Sequence, residues 1–412
     1  MRYLDAVYAF LVATAVAALL TPLAGRLARR VGAMAYPNER GLARKPTPQL
    51  GGLAILAGVL LAAAIWLPHR IPLERAPHET PGSAGAVHTW TVIGGAVLIA
   101  LVGALDDTID LQPLLKLLGQ VGAAVLAAAG GAVIKGLNLP FVGYLAFPDN
   151  GRVLTVVWLV ALMNIVNFSD GVDGLAAGLC AIDGAAFSVV AFSVQGGTSS
   201  AAVLAAITAG ASLGFLFHNR PPAKIFMGDT GANLLGYLLG VAAVIGSLKT
   251  NAAVALAVPL LVLAVPFMDT GFVIAKRLKY RRKIWQADAE HFHHRMARIG
   301  FSQRKTVAYL YTWTLMLAGV ALALRFIPYK NHHVTGQYHL GWSIVMGLIL
   351  LAALIASIYL VYVLEIFKFK ALRTIQLRRV DPDTSEHEIA ATVERDIETG
   401  EFEAVRAPEP PE

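Results

Sequence analysis

Four short polar strings interrupt an apolar chain, and their residue types suit the handling of phosphate and metal. "DDTIDLQPLLKLLGQ" (106–120) places Asp106 and Asp110 four residues apart, and Asp107 and Asp110 three apart. On a continuing helix those carboxylates come within reach of one cation. Three acids so close repel one another unless positive charge lies between them. Mg2+, which takes one or two carboxylates together with substrate phosphate oxygens, is the natural candidate. A solvated loop with a helix cap is the alternative.

"NIVNFSDGVDGLAAG" (164–178) sets Asn164, Asn167, Asp170 and Asp173 at three-residue intervals. Each step drifts by about 60° on a helix, so Asn164 and Asp173 would lie on opposite faces of an unbroken one. The four serve one site only if the backbone bends, and Gly171 and Gly174 are where it can. A calcium loop fits poorly, because the alternate spacing and terminal Glu are missing; a structural turn is the alternative.

In "HNRPPAKIFMGDTGA" (218–232), Pro221 and Pro222 hold the chain extended before the eighth apolar segment. Asp229, between Gly228 and Gly231, is open to close approach by metal or phosphate, and Phe226 is an aromatic in a polar loop. The ring could instead anchor at a membrane interface. In "EHFHHRMARIGF" (290–301), His291, His293 and His294 adjoin Arg295. That company suits phosphate better than zinc, since cationic neighbours oppose a second positive ion and no HExxH spacing is present.

The elements that must position these strings are membrane helices. Of the 412 residues 56% are hydrophobic and 15% charged, with a mean hydropathy of +0.61, too apolar for a water-soluble chain of this length. Segments long enough to cross about 30 Å of hydrocarbon fall near 6–25, 50–67, 91–105, 115–134, 153–168, 175–194, 199–217, 232–248, 251–275, 306–327 and 341–364. An all-α polytopic membrane protein of about eleven helices is expected. The first segment reads as a helix of the mature protein, because an Arg cluster follows it and "MRYLD" is barely basic.

Lys and Arg concentrate after the odd-numbered helices, from Arg26 to Lys45, at Lys116, at Arg220 and Lys224, and in "KRLKYRRK" (276–283). By the positive-inside rule the N-terminus is outside, the C-terminus is cytoplasmic, and all four polar strings share the cytoplasmic face. The basic blocks set topology and do not suggest nucleic-acid binding. Residues 1–365 form the membrane domain. Residues 366–412 read as a largely disordered cytoplasmic tail, with room for a short helix around "EIAATVERDIE". The single cysteine, Cys180, excludes an intrachain disulfide and reads as a packed thiol.

The strings, in this order and together with "RKPTPQLGG" (44–52), resemble the polyprenyl-phosphate N-acetylhexosamine-1-phosphate transferases, polytopic membrane enzymes of the glycosyltransferase family 4 type. The resemblance spans about residues 1–365. It implies transfer of a sugar-1-phosphate from a UDP-sugar to undecaprenyl phosphate at the plasma membrane, with release of UMP and with Mg2+, or Mn2+ in its place, as cofactor. It further implies that Asp229 holds the metal together with Asp107, and that Asp106 and Asp107 face the lipid phosphate. Phe226 would stack on uracil and Asp173 would help recognise it. Lys116, Lys45, His291, His293, His294 and Arg295 would hold phosphate oxygens, Thr47 would bind substrate, and Asn167 and Asp170 would line the same cleft. A homodimer is compatible with this reading.

"HFHHRM" followed by "RIGFSQRK" looks more like the branch that uses UDP-GlcNAc than the branch that takes UDP-MurNAc-pentapeptide for peptidoglycan. Two rivals differ in chemistry. A membrane aromatic prenyltransferase would not need Phe226 beside Asp229. A cation-coupled transporter would place its acids near the bilayer midplane on interrupted helices.

Overall fold

A computed structural model of the chain describes residues 3–36, 45–68, 70–72, 86–134, 136–139, 143–147, 150–194, 200–247, 302–327, 340–361, 373–374, 377 and 385–399. They fall into two compact units, Met1–Phe267 with Thr314–Ile327, and Met268–Trp313 with Pro328–Glu412.

The first unit is a bundle of α1 (Tyr3–Val31), α2 (Gly52–Trp66), α3 (Thr89–Ile109), α4 (Pro113–Ala129), α5 (Gly151–Ser169), α6 (Leu175–Val194), α7 (Ser200–Asn219) and α8 (Gly228–Ser247). The end of α9 (Gln303–Phe326) joins it. There Arg325 donates through Nε to the Ser193 hydroxyl at 2.8 Å and through its guanidinium to the Ser193 carbonyl, closing the C-terminal end of α6. The second unit holds the start of α9, α10 (Leu340–Val361) and α11 (Glu386–Thr399).

Among the described residues, α1, α3 and α5 to α10 are long and apolar enough to cross a membrane, whereas α2 and α4 are apolar but shorter. At 15 and 17 residues these two rise about 22 and 26 Å, less than a bilayer core. Ten of the eleven expected segments are thus helices, and the one near 251–275 lies outside the described residues. Three antiparallel hairpins were not foreseen. β1 (Met34–Ala35) pairs with β2 (Thr47–Pro48), β3 (Arg70–Pro72) with β4 (Ala86–His88), and β5 (Gly136–Leu139) with β6 (Gly143–Ala146). Two to four residues are too few to show a strand period.

In lipid, helices associate by close packing of small residues rather than by exclusion of water. Accordingly α1 buries Ala6, Ala9, Ala13 and Ala17, and α7 presents Gly210 and Gly214, where a Cβ would sit 2.3 and 2.2 Å from the carbonyl oxygens of Phe10 and Thr14. Pro22 inside α1 has no N–H to give the Ala18 carbonyl, and His218 of α7 lies 2.9 Å from that oxygen. Most of α8 is buried, between α3 and α5, and Gly236 lets it close on the α5 backbone at Leu162. By contrast α10 exposes Leu348, Leu351, Leu354 and Ile358, as a helix facing lipid does. Cys180 is buried and free. The short helix allowed in the tail forms as α11, started by a capping box in which Ser385 and Glu388 bond each other's backbone N–H groups.

Candidate active site

The acidic string closes α3 and opens α4. Asp106 accepts from the Leu111 N–H (2.8 Å), and Asp110 takes the left-handed conformation at φ 53°. Pro113, in the first turn of α4, restarts the helix where its missing N–H costs nothing. Lys116 follows one turn later. Its ammonium lies 3.4 Å from Asp106 Oδ2 and pairs with the Asp229 carboxylate.

Asp107 points the other way and caps α8 from outside. Its Oδ1 accepts the Asp229 N–H (2.8 Å), and its Oδ2 accepts both the Thr230 N–H (3.1 Å) and the Thr230 hydroxyl (2.6 Å). A carboxylate at a helix N-terminus satisfies orphan donors and complements the helix dipole. With this cap α8 begins at Gly228, four residues before the expected 232. Asp229 therefore stands in the first helical turn, not in the loop expected from its flanking glycines.

The "NIVNFSDGVDG" segment does break. Helix α5 stops at Ser169, Gly174 is left-handed at φ 77°, and α6 starts at Leu175. The break turns the four polar side chains to different tasks. With its amide oriented to satisfy both neighbours, Asn167 donates to Asp229 Oδ1 (2.9 Å) and accepts from Lys116 Nζ (3.0 Å). Asn164 turns deeper into the bundle and bonds Gln120. Asp173 accepts the Ala223 N–H (2.9 Å), and Asn219 ties the Gly174 N–H to the Ile225 carbonyl.

The remaining loop layer is held by backbone bonds. Phe226, half-buried, donates its N–H to the Pro48 carbonyl and accepts from Gly51, while the Gly52 N–H bonds the Met227 carbonyl. Thr47 is buried on β2 with its hydroxyl on the Lys45 carbonyl, and Lys45 is exposed. Asp106, Asp107, Lys116, Asn167 and Asp229 thus form one contact cluster. Asp170, Asp173, Phe226 and Thr47 belong to the loops around it. His291, His293, His294 and Arg295 lie outside the described residues. Sequence reasoning missed Thr230, Asn219, Gln120 and Asn233, although the last two are lone amides in apolar helices, a signal available from composition.

Electrostatically the loop acids are held back from ionising. Burial raises Asp170 well above the ordinary carboxylate range, helped by the negative charges of Asp107 and Asp173. Burial also raises Asp173, against the lowering effect of the Ala223 N–H bond. A raised folded-state pKa means stability that is present below the unfolded value of 3.8 and is lost as pH climbs toward the folded one. Asp170→Asn should therefore flatten the fall in thermal midpoint between pH 4 and pH 8 in detergent with chelator. An unchanged fall would show that Asp170 ionises freely.

Comparison with known proteins decides the family. The profile described as "Glycosyl transferase family 4" matches residues 89–247, which hold the acidic string, the α5–α6 break and the start of α8. A Bacillus subtilis (strain 168) protein described as a probable undecaprenyl-phosphate N-acetylglucosaminyl 1-phosphate transferase is 34% identical over 79% of this chain and 86% of its own length.

The chain belongs to glycosyl transferase family 4.

As a transferase of that family it is similar also to the decaprenyl-phosphate N-acetylglucosaminephosphotransferase of Mycolicibacterium smegmatis, at 38% identity over 75% of this chain and 80% of that one. The phospho-N-acetylmuramoyl-pentapeptide-transferase of Desulforamulus reducens is 33% identical over 78% and 94%. This transferase is a multi-pass helical bundle, and its cluster of two acids, a lysine and an amide around Asp229 sits at the helix ends of the matched region.

Proposed function

We propose that the protein transfers N-acetylglucosamine-1-phosphate from UDP-GlcNAc to undecaprenyl phosphate, with Mg2+, as a first membrane step in making a cell-envelope polysaccharide. The observation that carries this reading is the Lys116–Asp229–Asn167 cluster, with Asp106 and Asp107 beside it, at the ends of four membrane-embedded helices. The GlcNAc-type relatives are also more identical to this chain, at 34% and 38%, than the muramoyl-pentapeptide one, at 33%. We place the site on the cytoplasmic face of the plasma membrane, with eleven spans, the N-terminus outside and the C-terminus inside. The Lys and Arg pattern supports that placement.

In the reaction an oxygen of the lipid phosphate attacks the phosphorus that carries the sugar. The bond from that phosphorus to the bridging oxygen breaks, and UMP leaves with that oxygen. Several negative charges meet, so their neutralisation dominates the barrier. A phosphate whose second pKa is near 6 is largely ionised at neutral pH and needs no strong base. We therefore favour direct attack over a covalent enzyme intermediate.

The donor set suits a hard cation, since the candidate ligands Asp229 and Asp107 offer carboxylate oxygens. Three of the roughly four lone-pair sites of Asp107 are taken by α8, so Asp229 would be the principal Mg2+ ligand and Asp107 at most a single-oxygen one. When bound, Mg2+ would neutralise the diphosphate. Lys116 would hold a phosphate oxygen, Asn167 would orient both Lys116 and Asp229 through its amide, and Phe226 would offer a face to the uracil.

Purified protein in detergent with undecaprenyl phosphate should form lipid-linked product from UDP-GlcNAc with Mg2+, and little or none from UDP-MurNAc-pentapeptide or in EDTA. Product from UDP-MurNAc-pentapeptide alone would move the protein to the peptidoglycan branch.

A further inference from the structure

One helical turn below the cluster lies a second polar layer, built on the same three helices. Gln120, Asn164 and Asn233 stand four, three and four positions from Lys116, Asn167 and Asp229 on α4, α5 and α8 respectively. Gln120 and Asn233 are each only 1% exposed. The layer is a directed chain. Asn164 donates to the Val160 carbonyl (2.8 Å) and to Gln120 Oε1 (2.9 Å), Gln120 donates to Asn233 Oδ1 (2.8 Å), and Asn233 donates to the carbonyl of Asp229 (2.9 Å).

Amides are costly to place among apolar helices unless paired, and an aliphatic residue at 120 would pack there without that penalty. Paired, they link three helices through bonds that tolerate little error in distance or angle. A rotation of α8 by one residue, about 100°, would carry Asn233 away from Gln120 and Asp229 away from Lys116 together. The amides add no charge to a site whose function depends on charge.

We propose that Gln120 is a positioning residue: through Asn164 and Asn233 it fixes the rotation and depth of α4, α5 and α8, and so the spacing of Lys116, Asn167 and Asp229. The inference deepens the reading of the site given above and rests on it. Gln120 touches no reacting atom.

Gln120→Leu removes the central link. Gln120→Asn shortens it by one methylene, and Asn164→Gln combined with Gln120→Asn restores the summed length of the link to α5 while the link to Asn233 stays short. In both single variants kcat per folded enzyme should fall about tenfold or more, with KM for UDP-GlcNAc within about twofold of wild type, because a misplacement near 1 Å acts on the transition state. The double variant should recover part of the loss. An activity-free readout accompanies this. The rate at which an amine-reactive reagent labels Lys116, followed by mass spectrometry, should rise at least about threefold in Gln120→Asn and fall part-way back in the double variant, since a loosened shell frees the lysine from its partners. Lys116 labelling and kcat per folded enzyme that stay at wild-type values in both single variants would overturn the positioning role, whatever happens to thermal stability. Wild-type protein inert toward every UDP-sugar would instead fault the proposed reaction alone.

Discussion

Asp229→Asn is expected to leave the protein inserted and folded while lowering turnover about a thousandfold, equivalent to about 4 kcal/mol of transition-state stabilisation. Folding should survive because α8 is started by the backbone N–H of residue 229 on Asp107, a bond the substitution leaves in place. Asn167 and Lys116 keep an amide oxygen to approach, but the charge that would hold the metal and balance Lys116 is gone. Lipid-linked product formation by detergent-purified protein, with the elution profile as the folding control, reads the effect. Activity within tenfold of wild type would remove Asp229 from the centre of the site.

Gly228→Ala should be nearly as damaging by another route. Gly228 is left-handed at φ 67°, and an added Cβ would lie 2.3 Å from Asp107 Oδ2 and 2.6 Å from Oδ1. Left-handed backbone costs a non-glycine residue about 1–2 kcal/mol. Displacing Asp107 would also release the cap of α8, where each buried donor left unpaired costs about 1–3 kcal/mol. A loss of about 3 kcal/mol in stability, with near-complete loss of product, is expected from these two causes together. Gly94→Ala on α3, where a Cβ meets nothing within 4 Å, should leave product formation unchanged and stability equal or higher by up to about 1 kcal/mol. A thermal midpoint in Gly228→Ala equal to that of Gly94→Ala would contradict the close fit of Gly228 against Asp107.

Much of the frame was legible because hydropathy reports it directly. The α6 segment was placed at 175–194 as found, and the break between Asn164 and Asp173 was legible from the three-residue spacing together with Gly171 and Gly174. The start of α8 was four residues late because its cap, Asp107, comes from 122 positions away and leaves no local mark. For the same reason the acidic string showed that negative charge gathers near 106–110 but not how it is divided, with Asp106 toward Lys116 and the α3 turn, and Asp107 toward α8. Asn164 looked like a member of the cleft by spacing. Only the packing of α4 against α5 shows it bonded to Gln120, one layer down.

The central claim is that the phosphate bearing the sugar moves to the lipid. UDP-GlcNAc carrying radiolabel in the sugar-linked phosphate, incubated with the protein, undecaprenyl phosphate and Mg2+, should deliver all its transferred label to the butanol-extractable lipid and none to UMP. Label recovered in UMP or as free GlcNAc-1-phosphate, with no lipid product, would contradict it.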